Sequence, residues 1–234
     1  MRSKRSFGRK RRVARRKVRV RKTLRRKSRV KFANGFPAIK YVRMKYVQTF
    51  KIDLATYSTG GVYLFKAGDL FSPNYSGSGG HQPLGFDQWA GFYDHYDVMS
   101  SSVKYSVRVA QPQAAPTGQY LVYGRVSDNL SVSSQVDTVM EQPGIQKRNL
   151  MSGAGPGSNA VIRLNYRKSK RFSSNNDTRA QVGSSPAEQT YFVLGIQSMY
   201  TTTDSSIGDP ATVYVTADIT YMAKFDGLKY LAQS

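Results

Sequence analysis

Eighteen basic residues stand in the first 31 positions, with no acid among them. They are Arg2, Lys4, Arg5, Arg9, Lys10, Arg11, Arg12, Arg15, Arg16, Lys17, Arg19, Arg21, Lys22, Arg25, Arg26, Lys27, Arg29 and Lys31. A guanidinium is a planar fork that donates two parallel hydrogen bonds to a phosphate. Each phosphate contact also releases condensed counterions. A run of this density is chemistry for a nucleic-acid backbone, strong, salt-sensitive and indifferent to base sequence. Val13, Val18, Val20, Leu24 and Val30 keep no steady helical or strand period, and like charges repel. The free segment is therefore expected to be a disordered arm. Arg9, Lys10, Arg11 and Arg12, with Arg15, Arg16 and Lys17, also have the form of a nuclear localisation signal. That reading coexists with phosphate binding on the same residues.

The charge is confined to this end. The first acid is Asp53, and 22 Lys plus Arg precede it. From Asp53 onward 14 bases meet 14 acids, so the whole net charge of +22 belongs to the first 52 residues. Such asymmetry points to a nucleic-acid- or membrane-binding tail on an ordinary domain. No apolar run reaches the roughly 18 residues of a membrane helix, which argues against membrane insertion. The basic start lacks the apolar stretch of a signal peptide. Without a secretory route, the sequons at Asn74, Asn129 and Asn176 read as chance matches. There is no cysteine, so disulfides and thiolate zinc sites are excluded.

Other reactive side chains are sparse. His81 sits in a Gly/Ser loop. His95 lies among Tyr93, Asp94, Tyr96 and Asp97, a group able to orient an imidazole or hold a cation. No nucleophile elbow, P-loop or HExxH motif accompanies either histidine. Both read as structural residues, and the expectation is a non-enzyme with no catalytic residue, metal or cofactor. Asp204 and Asp209 are carboxylates in a loop that could hold calcium between subunits, the less favoured option. Arg163, Arg167, Lys168, Lys170 and Arg171 form a second basic cluster. It is either an inner-surface nucleic-acid contact or an ordinary polar strand end, the plainer option. Trp89, Phe92, Tyr93 and Tyr96 could stack on bases, but such clusters more often belong to a core or a subunit interface.

The elements that must position these residues are strands. The 16 tyrosines and 11 phenylalanines, with many Val and Thr, favour pleated sheets. Residues 46–53, 62–66, 98–110, 119–126, 145–150, 161–166, 190–199 and 212–225 read as strands. Residues 86–96 carry Phe86, Trp89, Ala90 and Tyr93 at helical spacing and predict one short helix. Residues 135–141 predict a helical turn, and 168–186 a polar loop. The expected layout is an arm over 1–45 and an all-β domain over 46–234. A jelly roll, an immunoglobulin-like sandwich and an up-and-down barrel all suit about eight strands. The long loops at 72–83 and 169–186 favour the jelly roll.

The segment His81-Gln82-Pro83-Leu84-Gly85-Phe86-Asp87-Gln88-Trp89, leading to Tyr93, Tyr96, Asp97 and Val98, carries a resemblance. It resembles the P-x-G-F-D-Q-W…Y…Y-x-V segment of capsid proteins from circovirus-like (CRESS-DNA) viruses, which have small circular single-stranded DNA genomes. The basic arm followed by a β domain matches their layout, although the arm mixes Lys with Arg where circoviruses proper are often nearly pure Arg. The resemblance implies a single eight-stranded jelly roll of two packed antiparallel sheets. It implies a chain that partners itself in a small icosahedral shell, T = 1 with 60 copies. It also implies an interior arm that binds the single-stranded DNA genome and engages nuclear import receptors. The expected locations are the virion and, during assembly, the host nucleus. Sixty arms would bring roughly 1,300 positive charges against one charge per nucleotide, enough for much of a genome of one to two thousand nucleotides. Related segments occur in some small RNA-virus shell domains, so an RNA-virus capsid stays open. A ribosomal or chromatin-like binding protein is the other alternative, and the neutral outer domain argues against it.

Overall fold

The computed structural model describes residues 36–53, 61–77, 80–109, 119–130, 136–151, 159–172, 177–199 and 212–230. The chain divides into two units, Met1–Lys31 and Phe32–Ser234. Met1–Lys31, and with it every arm cation named above, lies outside the described residues, as do Asp204, Asp209 and Asn176.

The second unit is built of strands: β1 (Ile39–Asp53), β2 (Gly61–Lys66), β3 (Tyr93–Val109), β4 (Gln119–Ser127), β5 (Gln146–Met151), β6 (Asn159–Arg167), β7 (Arg179–Gln181), β8 (Tyr191–Ser198) and β9 (Thr212–Leu228). Among the described residues three short helices interrupt them: α1 (Phe86–Phe92), α2 (Val136–Glu141) and α3 (Lys168–Arg171). One sheet runs β1-β9-β3-β6, with β7 attached to β3, and the other runs β2-β8-β4-β5.

That order identifies the fold by itself. Leaving aside the three-residue β7, the first principal strand pairs the last, the second the seventh, the third the sixth and the fourth the fifth. Every one of these pairs is antiparallel. Nested pairing of this kind is one long hairpin rolled into two facing sheets, the eight-stranded jelly roll.

Alternation explains the packing. In β9, Val213, Val215, Ala217, Ile219, Tyr221, Ala223 and Phe225 face inward and are fully buried. In β6, Ala160, Ile162, Leu164 and Tyr166 are buried and the intervening residues are not. They meet Phe65, Tyr120, Val122, Leu150, Phe192, Leu194 and Ile196 of the other sheet in one core. Tyrosine hydroxyls finish the contact between sheets. Tyr105 donates to the carbonyl of Phe192 at 3.2 Å and Tyr221 to that of Lys66 at 2.9 Å. Burial pushes both phenols far above their ordinary value, so both remain donors.

Two expectations are corrected. β1 opens at Ile39, so residues 39–45, assigned above to the arm, are strand. Met44 is buried there while Arg43 and Lys45 point to solvent, the period-2 signature hidden by the surrounding charge. The helix expected over 86–96 ends at Phe92, because the β3 ladder claims Tyr93 onward and pairs it with Leu228. The polar segment 168–186 also holds α3 and β7.

Asp226 fastens β7 to β9. It takes hydrogen bonds from Arg179 at 2.5 Å and from Lys224 at 2.7 Å. Burial works upward on this carboxyl, but the bonds from Lys224 and Arg179 outweigh it and hold Asp226 below the usual carboxylate value. A depressed folded pKa contributes stability above the unfolded value and loses it as pH falls through the folded one. Acid melts should therefore lose this contribution below about pH 4, and Asp226→Asn should flatten that part of the stability profile. Parallel profiles for the two proteins would show the carboxylate to be idle.

Candidate functional site

The two outer sheet faces differ. Over the β2-β8-β4-β5 sheet, Leu64, Tyr191 and Val193 form one buried apolar cluster. Leu121 and Tyr123 are covered by Val139 of α2. The solvent face of the β1-β9-β3-β6 sheet carries charge instead.

Register places five cross-strand rows on that face. They are Arg43–Met222–Ser100–Arg167, Lys45–Thr220–Ser102–Asn165, Val47–Asp218–Lys104–Arg163, Thr49–Thr216–Ser106–Val161 and Lys51–Tyr214–Arg108–Asn159. Arg43, Lys45, Lys51, Lys104, Arg108, Arg163 and Arg167 thus share one face, with Asp218 the sole carboxylate among these positions. Asp218 is held by Lys45 at 2.9 Å. Arg43, Lys104, Arg108, Arg163, Arg167 and Lys170 form no ion pair among the described residues. A shallow groove of about 560 Å³ lies between Arg43, Arg167 and Lys170, lined by Ser100, Ser102, Asn165 and Thr220. It adjoins a second hollow bounded by Lys104, Arg163 and Asp218.

The predicted second cluster is divided by the structure. Arg163 and Arg167 project from β6 on this face and Lys170 borders its groove. Lys168 is drawn into an ion pair with Asp97 at 2.5 Å, which Thr178 also contacts. Arg171 donates to the carbonyl of Val126. Arg43, Lys45, Lys51, Lys104 and Arg108 were not singled out as ligand-binding residues by sequence. Their signal was available as cations at even spacing in separate strands, but a strand period cannot show which strands are neighbours.

The remaining candidates are structural in placement. Tyr93 and Tyr96 are fully buried, and Trp89 and Phe92 pack against the core. Phe86 meets Tyr96 edge-on at 5.5 Å, so the sequence motif is largely a packing corner where α1 enters β3. The Nδ1 of His95 is buried and makes no hydrogen bond. His81 stacks on Tyr46, with ring nitrogens 2.8 Å from the Gln82 carbonyl and 3.0 Å from that of Val47. The buried Asn74 amide donates to Gln48 of β1 and Tyr63 of β2, which leaves it unsuited to carry a glycan. No group of three or more metal-ligating side chains occurs among the described residues. No described helix is long and apolar enough to cross a membrane.

No protein-family model matches the chain, and no curated protein matches it in sequence. Similar solved structures exist. A Nora virus structure aligns at 14% identity and a TM-score of 0.46, over 83% of this chain and 64% of that one, so this chain spans less than two thirds of its length. The decameric BFDV capsid protein aligns at 14% identity and a TM-score of 0.41, over 80% and 98% of the two chains. A semi-empty virus-like particle of the giant freshwater prawn (Macrobrachium rosenbergii) nodavirus aligns at 15% and 0.39, over 82% and 98%. The fold assignment rests on the strand order of this chain itself.

Proposed function

We propose that this chain is a viral coat protein that assembles with copies of itself into a closed shell and packages nucleic acid through Met1–Lys31. One observation carries the proposal: an acid-free polycation directly precedes an eight-stranded jelly roll that is close to neutral, 18 bases meeting 14 acids over residues 32–234. A jelly roll alone also serves lectins and cupins, and it is the joined polycation that selects packaging. The domain supplies shape and subunit contacts, the segment supplies phosphate neutralisation, and no catalytic step is involved. The motif across Pro83 to Val98 adds the finer reading of a T = 1 shell of 60 copies around single-stranded DNA. In that reading Arg9 to Lys17 also direct nuclear import before assembly. Phosphate contacts carry no sugar or base information, so the genome type is read from the packaged material.

The test is to purify the protein, image it by negative stain and measure absorbance before and after nuclease. Uniform closed particles that protect nucleic acid are expected. Deleting Met1–Lys31 should empty them, and DNase or RNase on the extracted contents identifies the genome. A monomer that binds nucleic acid one to one would replace this proposal with a non-viral binding protein.

A further inference from the structure

We propose that the solvent face of the β1-β9-β3-β6 sheet is a second nucleic-acid surface, specific for single strands and formed by the folded domain itself. The inference rests on the packaging function above and adds to it a ligand class and an orientation for the subunit.

Three observations converge. First, the face gathers Arg43 of β1, Lys104 and Arg108 of β3, and Arg163 and Arg167 of β6, cations without ion pairs from strands distant in sequence, while the opposite outer face holds buried apolar clusters and is partly covered. Second, the short side chains Ser100 and Ser102 of β3 lie in a furrow whose sides are Thr220 and Met222 on β9 and Asn165 and Arg167 on β6. Two to three strand spacings make it about 10–14 Å across, room for one sugar–phosphate chain and narrower than a duplex. Its hydroxyls and amide are phosphate donors alongside Arg43 and Arg167. Third, Tyr214 is half exposed and stands in register between Lys51 and Arg108. A ring beside Arg108, which forms no ion pair, offers a stacking platform for an unpaired base with charge for the neighbouring phosphate, the combination used by single-strand binders. A paired base has its faces occupied and cannot use it.

The subunit is therefore oriented with this sheet toward the nucleic acid and the α2-covered sheet away from it.

The experiment is ultraviolet cross-linking of the purified full-length protein to an oligothymidine carrying 5-iodouridine, with the linked peptides mapped by mass spectrometry. Cross-links are expected at Tyr214 as well as in Met1–Lys31. The Tyr214 link should vanish in Tyr214→Ser and with a duplex of the same sequence. Replacing Arg43, Lys104, Arg108, Arg163 and Arg167 by Ser should lower the slope of log affinity against log salt by about 0.7 for each phosphate no longer neutralised, with the melting temperature as the check on folding. Cross-links confined to Met1–Lys31, or an unchanged slope, would overturn the second surface and leave packaging intact. Equal cross-linking by the duplex would overturn the single-strand assignment. Protection of the face by heparin fragments but not by oligonucleotide would assign it to a sulfated glycan instead. A full-length chain that retains no nucleic acid at all would remove the packaging function and this inference together.

Discussion

Asp69→Ala should cost the jelly-roll domain about 3–5 kcal/mol, the penalty for stranding the partner of a buried ion pair. Asp69 is completely buried. One carboxylate oxygen takes the Lys66 ammonium at 2.9 Å. The other accepts from the Phe71 amide at 2.8 Å, the Ser72 amide at 3.2 Å and the Tyr96 hydroxyl at 2.8 Å. Alanine leaves a buried ammonium with only Ser185 to face, and three further donors without that acceptor. Burial, followed by the Asp69 charge, pushes the Tyr96 phenol far above its ordinary value, so it is a donor in the parent, and in the variant it keeps the Ser184 carbonyl at 2.9 Å as its acceptor. A destabilisation of this size corresponds to a fall of roughly 10 °C in melting temperature for a domain of this length. Asp69→Asn keeps one acceptor oxygen for the two amides and should cost clearly less. Melting of the three proteins in parallel checks the order, and an alanine variant as stable as the parent would show the network to be ornamental.

The network shows why part of this molecule was legible in the sequence and part was not. The strands declared themselves through alternation, most plainly in residues 212–225, where Val213 through Tyr221 face the core in strict period 2. Nested pairing could not be read, because periodicity orients side chains within a strand and says nothing about which strand lies alongside. The same gap hid the basic sheet face. Arg43, Lys104 and Arg163 are far apart in the chain, and only register brings them to one surface. Asp69 was invisible for a different reason: a lone carboxylate in a Lys-Ala-Gly-Asp turn has no pattern, and its role exists only once Tyr96 is folded over it. The motif across Pro83 to Val98 was visible, yet its aromatic residues turn out to pack rather than to bind. Phe86, Tyr93 and Tyr96 are interior side chains around Phe225. A motif made of packing residues can report a fold corner faithfully while saying little about the ligand.

Gly195→Val should be the other severe substitution, and it tests the covered sheet. Gly195 lies in the middle of β8, paired with Val62 on one side and Tyr123 on the other. A Cβ at this position would overlap Cζ and the hydroxyl oxygen of Tyr123. The tyrosine ring therefore lies across the glycine, an arrangement in which the aromatic covers backbone that lacks a side chain. The ring cannot swing clear cheaply. Tyr123 is almost fully buried beside Leu121 and beneath Val139 of α2, and burial has pushed its phenol up to about 12. Overpacking of this kind typically costs about 1–3 kcal/mol, and displacing the helix removes its apolar packing as well. The expected result is a variant several degrees less stable in which α2 is the first element to open to proteases. Tyr123→Ala by itself should also destabilise, because it removes a buried ring. In the Gly195→Val background the same change removes the clash, so the double variant should be more stable than the sum of the two single losses predicts. Strict additivity would mean that the ring and the glycine do not share the space the structure assigns to them.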